Sequence, residues 1–236
     1  MRWMPHCFRD FRRNAGRRNV DKAPPKLSPK WLVRGLLPVT WLRQRAIYLR
    51  LGNPAGSIYA GLRLRERLGM KLRLSHTLSP HTRSVLCVCY GNIMRSPMAA
   101  EMMKREILAR NIAPPIAVQS AGLHAQPANP AHPWALAAGQ AMGIPLTEHR
   151  AQLMSDELAA QADAIFAMDF QNAAELLARF PQARDKIHML GHWRREPGTS
   201  VEISDPYYTD VEGTKQCYEV IQRCVRNIVD ELEKAK

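Results

Sequence analysis

The chain has 236 residues, 46% hydrophobic and 23% charged, which suits one soluble domain with an added segment and excludes collagen-like, fibrous and wholly disordered classes. Its net charge of +13 is unevenly placed: residues 1–84 carry 19 basic and 3 acidic side chains (net +16), and residues 85–236 carry 15 and 18 (net −3). Any argument from charge to a polyanionic partner therefore applies to the first third alone. The five cysteines, at 7, 87, 89, 217 and 224, are odd in number and unclustered, so a disulfide scaffold is not expected and a reducing, cytoplasmic setting is. No run of about 18 uninterrupted apolar residues predicts a membrane span, and Met1–Val20 is Arg-rich without the apolar centre of a secretory signal.

In chain order, residues 1–30 are rich in Arg, Lys, Pro and Asn, and Ala23-Pro24-Pro25-Lys26 breaks any helix, so this arm is expected to be disordered. Pro38 interrupts the next stretch and leaves a predicted basic helix over 39–51; a second is predicted from Ser57 to about Leu68. Such helices either lie on an anionic membrane surface, the expectation adopted for residues 1–70, or pack against the folded domain. No recognised nucleic-acid motif accompanies the charge, so nucleic acid is not an expected partner.

After residue 83 the pattern becomes strand alternating with helix. Ser84–Cys89 is a short apolar run suited to a buried parallel strand, and Ser96–Arg110 has helical spacing. Further strands are expected at 116–119, 164–168 and 186–189, helices near 132–142 and 169–179, and a long closing helix over about 209–235. This alternation implies a parallel sheet with helices on both faces. Two segments are thus expected: a basic extension, 1–83, and an α/β domain, 84–236.

The chemistry gathers at Cys89-Tyr90-Gly91-Asn92-Ile93-Met94-Arg95-Ser96-Pro97, which follows a predicted strand and opens a predicted helix. Cys-to-Arg spacing alone carries little weight, because Cys7 with Arg13 and Cys217 with Arg223 share it. Neither of those pairs stands between a strand and a helix. At a strand-to-helix turn the backbone N–H groups converge on one point, where a phosphate-sized dianion fits. Cys89 is then a candidate nucleophile, Arg95 a fork for two phosphate oxygens, and Ser96 a hydrogen-bond donor to the sulfur. Gly91 and Asn92 permit an unusual backbone path. A cysteinyl-phosphate route also needs an acid for the leaving oxygen and a base for water; Asp205, in Ser204-Asp205-Pro206-Tyr207-Tyr208, is the candidate.

These motifs resemble the low-molecular-weight protein tyrosine phosphatases in Cys89, Asn92, Arg95, Ser96 and the run Asp205 to Tyr208. Ser120-Ala121-Gly122, Gly143-Ile144, His149-Arg150-Ala151 and Met168-Asp169 also match, so that the resemblance spans about 84–236. It implies a flavodoxin-like, doubly wound fold with a parallel four-stranded sheet, no metal and no cofactor. It also implies phosphotyrosine protein as substrate, with a tyrosine kinase as a possible counterpart. Catalytic roles fall to Cys89, Arg95 and Asp205, and phosphate binding and loop support to Tyr90, Gly91, Asn92, Ile93, Met94 and Ser96. Asn92 would brace the loop in a left-handed conformation, supported by Ser120 and His149, and Tyr207 and Tyr208 would border the substrate cleft. Two positions depart from the family pattern: Met94 stands where many members carry a second cysteine, and Thr209 where glycine often follows the tyrosines. Two alternatives remain at this stage: a thioredoxin-coupled arsenate reductase using Cys217 and Cys224, and a non-catalytic phosphotyrosine-binding module targeted by its basic arm.

Overall fold

The structure, a computed structural model, describes residues 39–72 and 74–234. The arm expected over 1–30 lies outside the described residues, as does nearly all of the unit Met1–Leu42; Arg43–Lys236 form a second compact unit.

Four parallel strands, β1 (Ser84–Cys89), β2 (Ala117–Gly122), β3 (Ala164–Ala167) and β4 (Ile187–Met189), are ordered β2-β1-β3-β4. β1 is central, and past Ser84 it is buried throughout, which is why its sequence reads as an unbroken apolar run. Its side chains still alternate between faces. Val85, Cys87 and Cys89 join one core, and Leu86 and Val88 join the other.

Seven α-helices are described: α1 (Val39–Leu51), α2 (Ala55–Arg67), α3 (Arg95–Ala109), α4 (Pro133–Ala141), α5 (Asp156–Gln161), α6 (Phe170–Arg179) and α7 (Val211–Lys234). On the Cys89 side, α3, α4 and α7 pack through Met98, Met102, Ala135, Ala138, Tyr218, Ile221 and Ile228. On the other side, α5 and α6 cover Leu86 and Val88 through Leu158, Phe170, Ala173 and Leu177. This is the expected flavodoxin-like layering, with helices on both faces. α5, the helix that follows His149-Arg150-Ala151, is short, and Ser155 caps it by accepting from the Leu158 amide at 3.3 Å.

α2 lies against α6, with Tyr59 and Leu62 buried in the same cluster as Phe170 and Ala173. The apolar face of that basic helix is therefore covered by the domain's own helix. At the far end of β1 from Cys89, Asp163 Oδ2 accepts from the Arg83 amide, the Ser84 amide and the Ser84 hydroxyl at 2.8–2.9 Å, locking β1 to β3. Among the described residues, no helix is long and apolar enough to cross a membrane.

Candidate functional site

The site forms at the carboxyl ends of β1 and β2, the usual position for ligands in an open parallel sheet. β1 ends at Cys89, buried at 3% exposure. The chain then passes through Tyr90 to Met94 and enters α3 at Arg95.

The turn is possible because Asn92 takes φ 54°, a left-handed conformation that asparagine tolerates better than most residues. Gly91 needs no such freedom, and its missing side chain leaves only ordinary contact with Ile93. The glycine that the loop does require is Gly122, paired with Cys89 in the β1–β2 register. A β-carbon there would stand 2.7 Å from Asn92 N, 2.8 Å from Gly91 C and 2.9 Å from Tyr90 O, all of them backbone atoms.

Asn92 is fully buried, and both polar atoms of its side chain have partners. Its Nδ2 donates to Ser96 Oγ at 2.8 Å and Ser120 Oγ at 2.9 Å, and its Oδ1 accepts from the Gln152 amide at 2.8 Å. His149 Nε2 lies 2.6 Å from Asn92 O. The neutral imidazole donates that hydrogen bond through Nε2–H, and burial holds His149 below the usual histidine range. Ser120 and His149 thus meet Asn92 from two directions.

Two groups point at the thiol: Ser96 Oγ donates to Cys89 Sγ at 3.0 Å, and the Asn92 amide donates at 3.2 Å. Arg95, 2% exposed, gives NH1 to Asp169 Oδ2 at 2.7 Å and to Ile203 O at 3.0 Å, and NH2 to Asp205 Oδ2 at 2.5 Å. Burial works against its charge, but Asp169, Asp205 and Cys89 outweigh burial and keep the guanidinium charged.

Asp169 is the residue whose part sequence reasoning missed. It was recognised only as a matching position, yet it caps α6 through Oδ1, accepting from the Asn172 amide at 2.8 Å, while Oδ2 holds Arg95. The signal available was an aspartate directly after a strand and three residues before Asn172, an N-cap pattern that says nothing of Arg95. A second unforeseen contact is the buried Tyr218 of α7, whose hydroxyl donates to Met94 O at 3.2 Å.

Met94 is buried at 3%, and Ile93 is half-buried with its carbonyl accepting from the His132 amide at 2.9 Å. Tyr90 is exposed, and its ring stacks on His124 at 4.5 Å. Across the loop, Tyr207 is exposed, 5.3 Å from the His132 ring and 5.0 Å from Tyr208, which is 90% exposed and belongs to no core. Beside Tyr90 and His124 opens a cavity of about 280 Å³ that is also lined by Arg50, Leu51, Asn53, Pro54 and Ala55, at the α1–α2 junction.

The structure therefore brings Cys89, Asn92, Arg95, Ser96, Ser120, His149 and Asp205 into one cluster. A buried thiol at a strand end, facing an arginine held by two carboxylates beneath a strand-to-helix turn, defines an anion-binding enzyme site of the doubly wound α/β class. Comparison with known proteins makes this particular: residues 84–236 match the family model described as low molecular weight phosphotyrosine protein phosphatase, and the chain belongs to that family. It is 34% identical over 143 residues to a probable low molecular weight protein-tyrosine-phosphatase, EpsP, of Ralstonia nicotianae, covering 61% of this chain and 91% of the relative. The crystal structure of the tyrosine phosphatase Wzb from Escherichia coli K30 in complex with sulphate aligns with TM-score 0.58 and 28% identity, over 64% of this chain and 99% of that one. The YwlE arginine phosphatase from Geobacillus stearothermophilus aligns with TM-score 0.57 and 27% identity, over 64% and 94%. The chain is thus an enzyme of the protein-tyrosine-phosphatase kind.

Proposed function

We propose that the protein hydrolyses phosphotyrosine in protein substrates through a cysteinyl-phosphate intermediate, with residues 84–236 carrying the chemistry. The observation that carries this reading is the pair of donors on Cys89 Sγ, from Ser96 and the Asn92 amide, beside an Arg95 fixed in place by Asp169 and Asp205.

In the first step Cys89 attacks phosphorus in line as the thiolate, its proton having passed to Asp205, the carboxylate that Arg95 otherwise holds. An S–P bond forms as the P–O bond to the tyrosine breaks, and Asp205 gives its proton to the departing oxygen. Arg95 and the loop amides hold the equatorial oxygens as charge develops, and Asn92 keeps those amides converged. In the second step Asp205 takes a proton from water, which attacks phosphorus and releases the cysteine sulfur as thiolate. The 3.0 Å donor from Ser96 stabilises that leaving group.

Tyr90 and Tyr207 are exposed on either side of the loop and suit stacking on an aromatic ester. A tyrosine kinase is the natural counterpart of such a substrate. The arsenate reductase reading needs a cysteine pair able to exchange disulfides. Cys217 and Cys224 are seven residues apart on α7, about 10.5 Å along a helix, beyond the roughly 7 Å that a disulfide tolerates.

The test is hydrolysis of phosphotyrosine peptide by the full chain, with Cys89→Ser as blank and phosphoserine peptide, phosphoarginine peptide, and arsenate with thioredoxin in parallel. Tyrosine-selective release lost in the blank is the expected result. Selective release from phosphoarginine, or cysteine-dependent consumption of arsenate, would overturn the substrate assignment.

A further inference from the structure

The segment that delivers Asp205 is held from outside the family-matched residues. Glu202, three residues before Asp205, is largely buried, and its carboxylate joins three elements. Oε2 pairs with Arg63 NH1 of α2 at 2.5 Å, and Oε1 accepts from the Phe170 amide at 2.9 Å, at the start of α6. The next residue, Ile203, accepts from Arg95 through its carbonyl at 3.0 Å and donates its amide to Met168 O at 2.8 Å. Glu202 thus stands where two segments meet, one carrying Asp169 and the other Asp205, and both of those carboxylates grip Arg95.

Arg63 is well placed to hold this junction. Its guanidinium lies 5.2 Å from the Phe170 ring centre and 5.4 Å from that of Tyr59, and its Nε donates to the Tyr59 hydroxyl at 3.2 Å, so it is anchored as well as paired. One turn on, Glu66 Oε1 accepts from Ser200 Oγ at 2.6 Å, so α2 touches the segment twice. The α2 partner in each contact, Arg63 or Glu66, lies before residue 84, where the family match begins.

We propose that Arg63 is a positioning residue for the Asp205 segment, acting through Glu202, and that α2 is therefore a working part of the phosphatase rather than an appendage. The inference rests on the reading of Asp205 as acid and base, but its structural core can be tested without that reading.

The electrostatics give the direction. Burial pushes the Glu202 carboxyl up, with the Phe170 amide and Arg63 opposing. The charged groups facing it are Arg63 and Glu66 from α2 and Asp169 from the α6 cap, while Arg194 donates to the Glu202 carbonyl at 3.3 Å. Of the two residues that α2 sets against it, Arg63 is the cation. Without it, burial, aided by Asp169 and Glu66, drives Glu202 towards the neutral form, the bond to the Phe170 amide weakens, and residues 201–208 loosen.

The experiment uses the full chain with Arg63→Met, which keeps the apolar stem, and Arg63→Lys, which restores charge. Amide hydrogen exchange is followed in 201–208 and 84–89, and kcat/KM is measured on phenyl phosphate and 2,4-dinitrophenyl phosphate. Expected for Arg63→Met is exchange about tenfold faster in 201–208 with 84–89 unchanged. The loss on phenyl phosphate, which needs the acid, should be about tenfold greater than on the dinitrophenyl ester, which does not. Arg63→Lys should recover most of both. Unchanged exchange in 201–208 overturns the proposal whatever the activities are, and so does equal loss on the two esters. If Arg63→Met does not fold, Glu202→Gln decides: an unaltered ratio of the two esters overturns the proposal, and a loss biased to phenyl phosphate supports it. A parent enzyme inactive on both esters sinks the phosphatase reading and leaves the exchange result to judge the clamp.

Discussion

Asp205 Oδ2 sits 2.5 Å from Arg95 NH2, so the proposed acid and the proposed phosphate grip share one ion pair. An incoming phosphate must share that guanidinium with a carboxylate of its own sign. Asp205→Ala should therefore have two opposed effects: turnover of phenyl phosphate falls by about 10²–10³, and inorganic phosphate inhibits about threefold more tightly. Steady-state kinetics with phosphate as competitive inhibitor read both, and an Asp205→Ala enzyme as active as the parent would remove Asp205 from the mechanism.

Asn92 combines a left-handed backbone with three side-chain hydrogen bonds in a dry setting. Asn92→Ala strains the turn and strands the Gln152 amide, a loss of about 3 kcal/mol in chemical denaturation. Asn92→Gly relieves the strain but not the lost bonds, and should fall between Asn92→Ala and the parent. In both variants kcat should fall by at least about tenfold, because the amides that converge on phosphate are no longer held.

At Gly122 the obstacle is backbone on every side, so the loop and β2 must separate to admit a methyl group. Gly122→Ala should abolish most activity and lower the melting temperature by several degrees, a cost of about 1–3 kcal/mol. A melting curve and a phosphate titration check this. Normal phosphate affinity would show that the close approach of β2 to the loop does not matter.

His188 on β4 is 3% exposed, and burial lowers its pKa to about 4 despite the hydrogen bond from Nδ1–H to Ser75 O. His76 and His192 also disfavour its charge, and Glu231 favours it. A histidine whose pKa is lower folded than unfolded binds its proton mainly in the unfolded chain. Its full stability contribution is present above the unfolded value of about 6.5 and is lost progressively as pH falls towards 4. The protein should therefore lose about 3 kcal/mol across that window from this group. His188→Phe should flatten the dependence of unfolding free energy on pH between 6.5 and 4, even if its own stability differs.

The main lines of the fold were legible because burial on both faces leaves a plain mark: β1 reads as an apolar run, and α7 repeats its apolar face over many turns. The loop from Cys89 to Ser96 was legible from context, lying between strand and helix where two other cysteine–arginine pairs of the same spacing do not. What could not be read are relations across long separations. Asp169 and Asp205 meet on Arg95 from 74 and 110 residues away, and Arg63 reaches Glu202 from a helix that composition marked only as basic and amphipathic. Periodicity shows which face of that helix is apolar but not what covers it. Strand β2 was expected at 116–119 and runs Ala117–Gly122, because Ser120 and Gly122 serve the loop and carry none of the apolar signal that marks a strand.

The hydroxyl of Tyr218 reaches the carbonyl of Met94, so the turn around the thiol is closed from α7, well over a hundred residues further along the chain. The shape of the turn is thereby tied to how α7 packs, so a disturbance of the helix face around Tyr218 is felt at the loop without any change to a loop residue.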